Sequence, residues 1–134
     1  MFKLIKILNS GVNVPEPCRL NKESAAEIKI GSALILNGGK AENCPATTRP
    51  EFIALEDGVI GKESVMAYAV YENMIFEAPI TESAEALTEG ACVTLSKDDN
   101  GNTVGVSATT ASGVAKIVSL DGATDAGDKI SVKF

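Results

Sequence analysis

The chain has 134 residues, 45% of them apolar but only 4% aromatic, with no tryptophan, no histidine and a net charge of −6. That length makes one domain with a core of Ile, Val, Leu and Ala. The lack of histidine excludes Ser-His-Asp and Cys-His catalysis and the commonest transition-metal ligand, and an acidic chain without a basic stripe is poorly suited to gripping nucleic acid.

Residues 1–20 read as an extended N-terminal arm. Phe2-Lys3-Leu4-Ile5-Lys6-Ile7-Leu8 is apolar but broken by two lysines, so neither a signal peptide nor a membrane span is expected. Asn9-Ser10-Gly11 interrupts it, and Pro15 and Pro17 forbid a helix or a central strand nearby. From residue 21 to 134 the chain reads as one β-rich domain. Ser24-Ala25-Ala26-Glu27 fits a capping box, but Ile28-Lys29-Ile30-Gly31 follows with period two, which favours a strand. Ala33–Leu36 is a short apolar strand stopped by Asn37-Gly38-Gly39. Glu51–Glu56, Ser64–Val70 and Glu72–Ala78 are further strands, separated by turns. In Ser64–Val70 both alternating faces are apolar, so it is expected to be covered on both sides. Thr81–Leu87 is the sole candidate helix, two turns at most, with a loop as the alternative.

The C-terminal third is a run of strands and glycine turns. Asn100-Gly101 between Ala91–Ser96 and Thr103–Ala108 predicts a type I′ hairpin, with Leu95 facing Val106 and Val93 facing Ala108. Lys129–Phe134 closes the chain in strict alternation. The fold class is therefore all-β: a small barrel or sandwich of about eight or nine short antiparallel strands, spaced roughly ten residues apart.

Charge is uneven. Residues 1–50 carry +3, residues 51–89 carry −8 and the remainder −1. This reads either as a solvated acidic surface or as a bipolar molecule whose basic arm docks on something acidic. Cys18, Cys44 and Cys92 are odd in number and widely spaced, which suggests core hydrophobes in a reducing cytoplasm rather than disulfides or a zinc site. Asp98-Asp99-Asn100-Gly101-Asn102 fails the EF-hand pattern, with Thr103 where glycine is required. Asp121, Asp125 and Asp128 lie in glycine-rich turns and read as turn formers. No catalytic, metal or cofactor residues are expected, and no small-molecule substrate.

In order, Ile30-Gly31-Ser32-Ala33-Leu34, Ala46-Thr47-Thr48-Arg49-Pro50-Glu51-Phe52-Ile53-Ala54, the Gly90–Ser96 strand with its Asn-Gly hairpin, Thr109–Ala115 and the closing Ala126–Phe134 resemble small head proteins of tailed bacteriophages and prophages, especially capsid decoration (head-stabilising) proteins. The resemblance runs over residues 28–134 and rests on turn-and-strand patterns. It implies a β-rich, non-enzymatic virion protein on the outside of the major capsid shell, made in the host cytoplasm and often trimeric. A tail-tube, baseplate or fibre component shares the same features. A carbohydrate-binding module shares the fold class, but Tyr68 and Tyr71 are poor sugar platforms.

The arm supplies the candidate partner-binding residues Phe2, Leu4, Ile7, Val12 and Val14, which could add a strand to a partner's sheet edge. Docking through these apolar groups is expected to be insensitive to salt. The alternative is that the arm is the first strand of its own sheet.

Overall fold

Short alternating runs separated by turns become twelve strands, paired antiparallel, with no helix among the described residues, 1–8 and 15–134, of the computed structural model. They are β1 (Lys3–Ile7), β2 (Cys18–Asn21), β3 (Ala33–Asn37), β4 (Lys40–Asn43), β5 (Phe52–Ala54) and β6 (Ser64–Ala69). There follow β7 (Met74–Pro79), β8 (Cys92–Val93), β9 (Leu95–Lys97), β10 (Thr103–Val106), β11 (Ala115–Ser119) and β12 (Lys129–Lys133). One five-stranded sheet runs β1-β7-β12-β11-β8, a second runs β2-β6-β5-β3-β4, and β9 and β10 form a separate pair. The sheets do not close into a barrel; the all-β arrangement is that of a small sandwich. The strand number exceeds the expected eight or nine partly because the run 91–96 divides. At Thr94, whose N–H donates to the Thr109 carbonyl, the chain leaves β11 as its neighbour and takes up β10.

The main core lies between the two sheets. Phe76, Ile117, Ile130 and Val132 point in from the first, and Ile53 and Tyr68 from the second. A smaller cluster of Leu34, Ala54, Val65 and Ala67 occupies the other face of the second sheet, with Ile28 packed over it. β6 is thus covered on both sides, as its two apolar faces predict. Lys22 is buried beside this cluster, and its Nζ donates to the carbonyls of Glu23 (3.0 Å) and Ala26 (2.6 Å). Those bonds satisfy a cation that burial would otherwise penalise.

The expected arm is, in its described part, woven into both sheets. β1 pairs with β7, Lys3 opposite Glu77 and Ile7 opposite Met74, with a bulge at Ile5. β2 pairs with β6, so the expected boundary between residues 20 and 21 falls inside a strand. Thr81–Leu87 is a loop rather than a helix, and it turns Ala84 and Leu87 into the main core.

The type I′ turn falls on a different hairpin from the expected one. Gly38 and Gly39, at φ +58° and +79°, are the two central residues between the Asn37–Lys40 pair, which is the type I′ pattern. In the β9–β10 hairpin only Gly101 has positive φ, +82°. Its N–H donates to the Asp98 carbonyl, and Asp98 N–H to the Asn102 carbonyl, giving a longer turn with Gly101 in the left-handed position. Asp98 Oδ1 accepts the amides of Asn100 and Asn102. A bulge between Thr103 and Gly105 then restores the predicted Leu95–Val106 register. Val93 does not face Ala108 but pairs with Ala115. Gly101→Val should cost about 1–3 kcal/mol from backbone strain alone, since a Cβ there meets nothing within 4 Å. An unchanged urea midpoint would show that the turn does not hold this conformation.

Candidate partner interface

The carboxylates and all three cysteines fall within the described residues. Among them no group of three or more Cys, Asp or Glu is placed to hold a metal. The turn aspartates are directed at their own loops. Asp128 Oδ2 accepts the amides of Thr124 and Asp125 at 3.0 Å, and these bonds from Asp125 and Thr124 hold its carboxyl below the usual range. Asp121 is held low by the hydroxyls of Ser119 (2.7 Å) and Ser131 (2.8 Å). Several carboxylates of the acid-rich stretch 51–89 also accept backbone amides: Glu51 from Leu36, Glu56 from Met66, Asp57 from Ile30, Glu82 from Ala108 and Glu89 from Leu120. The negative charge of this stretch is in large part loop anchoring.

The cysteines divide. Cys44 is buried, its thiol donates to the Thr48 carbonyl at 3.0 Å, and burial pushes its pKa up to about 12. Cys18 is half-buried. Cys92, expected in the core, is exposed instead, because Val93 is the residue of β8 that points inward.

The proposed docking residues sit in or against the core. Phe2 is only 2% exposed, and Leu4 and Ile7 pack on the same cluster. Val12 and Val14 lie outside the described residues. What the strand does present outward is Lys3, Lys6 and the bulged Ile5. Among the described residues β1 has a strand neighbour on one side only, which leaves it an edge strand. Its start is stitched to the second sheet by the Phe2 amide, which donates to the Gly31 carbonyl at 2.9 Å.

Beside β1 lies an open groove of about 420 Å³, lined among others by Leu4, Pro15, Pro17, Ile53, Leu55 and Tyr68. Exposed Met1, Ile30 and Leu55 border it, so the lining is almost wholly apolar. Partial burial, reinforced by the ammonium groups of Lys29 and Lys129, lowers the pKa of the α-amino group at this mouth, against the opposing pull of Asp98. The groove can receive apolar side chains.

Sequence reasoning missed a second feature, the gathering of lysines from β1, β11 and β12 on one sheet face. Nothing in the linear order signals it, because Lys6 is separated from Lys116 and Lys133 by most of the chain.

No protein-family model matches the sequence, and no curated protein is similar to it. In fold, the chain is similar to the head fiber gp8.5 N base of bacteriophage phi29, with a TM-score of 0.53 at 13% identity, covering 89% of this chain and 94% of that one. At that identity the likeness is one of architecture.

Proposed function

We propose that this chain is a non-enzymatic structural protein of a phage particle, which binds the outside of the major capsid shell and stabilises or decorates it. The observation that carries this reading is the shared fold: nearly the whole chain is similar in fold to a solved domain of a phage head fibre. The proposal gives the protein a protein partner, a virion location and homo-oligomeric, trimeric assembly, with no nucleic acid, membrane or small-molecule substrate. Carboxylates committed to backbone amides and a groove with an almost wholly apolar lining support a binding role over a catalytic one.

A second reading, the base of a head fibre, is favoured by the likeness to the phi29 head fiber base. Mixing the purified protein with expanded, undecorated heads of its own phage and pelleting them distinguishes the possibilities. Co-sedimentation with heads, at a copy number that follows the shell lattice, is the expected result. Binding at a few vertices would favour the fibre reading. Retention by tails but not heads would overturn both.

A further inference from the structure

We infer that the outer face of the first sheet is a docking face for an acidic surface on another protein, with Lys6, Lys133 and Lys116 as its central row. Strand alternation sets the row. Leu4, Phe76, Ile117 and Val132 point into the core, so the residues between them point out. Lys6 is registered with Ile75, and Lys116 directly with Lys133. Lys133 falls beside Ile75, one step beyond the Val132–Phe76 pair. Lys6, Ile75, Lys133 and Lys116 thus cross four neighbouring strands in a line of roughly 15 Å.

That line contains no carboxylate. The nearest acids on the face are already engaged: Glu77 is paired with Lys129 at 3.3 Å, and Asp121 takes the hydroxyls of Ser119 and Ser131. Among the described residues, Lys6, Lys116 and Lys133 belong to no ion pair. Like charges directly opposite on adjacent strands destabilise a sheet. In a chain of net charge −6, whose other charges are so often bonded to backbone, an uncompensated lysine pair on a regular sheet stands out.

Charge complementarity names the occupant as a source of carboxylates. A second copy of this chain is a poor source, because the acid-rich stretch turns Glu51, Glu56, Asp57, Glu82 and Glu89 to its own amides. A nucleic acid is a poorer one, since gripping its phosphates calls for a longer basic stripe than this short row and gains nothing from the apolar area beside it. The face also carries apolar area between its charges, with Ile5 48% and Val118 38% exposed, which suits a protein surface of mixed acidic and apolar residues. Complementary charges of this kind speed encounter and fix register. The salt-insensitive docking expected of Phe2, Leu4 and Ile7 is thereby replaced by a salt-sensitive contact on the opposite side of the same strand.

This inference rests on the chain being a binding module, but its test uses the purified chain and a defined polyanion, so it fails independently of the capsid sedimentation. The ¹⁵N-labelled full chain is titrated with poly-L-glutamate at neutral pH and low salt. The expected result is shifts concentrated at Lys6, Lys116 and Lys133, with affinity falling about tenfold or more between roughly 0.02 M and 0.3 M salt. Lys116→Glu should weaken binding about tenfold while raising the melting temperature by about 1–4 °C, because it turns a repulsive cross-strand pair into an attractive one. Lys6→Glu should lose binding without that rise, and Lys62→Glu, in the acid-rich stretch, should change neither. Equal losses in Lys62→Glu, or undiminished binding by Lys116→Glu, would overturn the assignment. So would tighter binding of duplex DNA than of poly-L-glutamate, or a lower melting temperature for Lys116→Glu.

Discussion

Replacing Phe2 by alanine should destabilise the protein by about 3–5 kcal/mol, a large part of a typical domain's stability. Phe2 meets Phe134 edge-on with ring centroids 5.4 Å apart, Phe134 lies 5.4 Å from Phe76, and Phe76 stacks on Tyr68 at 6.4 Å. In a chain so poor in aromatics this row is the bulkiest material available to the core, and only Phe52 and Tyr71 stand outside it. Deleting the ring leaves a cavity that surrounding β-branched side chains fill poorly. Urea unfolding with a constant slope should show the midpoint fall. Ile5→Ala, in the exposed bulge of the same strand, should stay within about 0.5 kcal/mol of the parent. If both variants unfold like the parent, the first strand is a detachable arm after all, and deletion of residues 1–8 would leave a folded remainder.

Alkaline pH should unfold the protein more steeply than its lysines alone require. The Cys44 thiol rises from 9.0 to about 12, chiefly through burial and secondarily through Glu51. The Tyr68 hydroxyl rises from 10.0 to about 12 through burial. Both groups are neutral when protonated, so the native state keeps protons that the unfolded chain has already released. Stability from this source is complete below pH 9.0, then declines as pH climbs through 10.0 towards about 12. Each pH unit between a group's two values is worth about 1.4 kcal/mol, so the pair together reaches several kcal/mol. Melting curves across this range should fall from the pH at which the unfolded thiol ionises. Cys44→Ala starts lower, having lost the bond to Thr48, but its decline should begin about one pH unit later, with Tyr68. A melting temperature that is flat to pH 11 or so would contradict burial of both groups.

Local periodicity carried most of the architecture. Strands such as Ser64–Ala69 and Lys129–Lys133 were legible because each alternates against a core that accepts one or both faces. The Leu95–Val106 register was legible too, since period two leaves few choices once a turn is placed. The turn type was not: Asn-Gly permits two left-handed residues, but Asp98 captures the amides of Asn100 and Asn102 and sets a wider loop. Residues 1–20 alone leave an arm and a first strand equally open, because the pairing with β7 is invisible from them and the bulge at Ile5 breaks the alternation. The lysine row is the extreme case. Lys6, Lys116 and Lys133 become neighbours only through the order of strands in the finished sheet, and no window along the chain contains them together.

The position of β12 has a consequence for how the molecule reaches this state. It lies at the middle of the first sheet, between β7 and β11, yet it comes from the last residues of the sequence. Neither half of that sheet can join the other until residues 129–133 have left the ribosome. Ser131 must find Glu77, and Phe134 must find Phe2, across long intervening loops whose closure entropy is spent before the contacts are gained. Such wiring places the chain among slow folders, in the millisecond-to-second range. While it waits, β7 and β11 have unfilled hydrogen-bonding edges, so conditions that prolong this interval, such as crowded overexpression, favour pairing between chains over pairing within one.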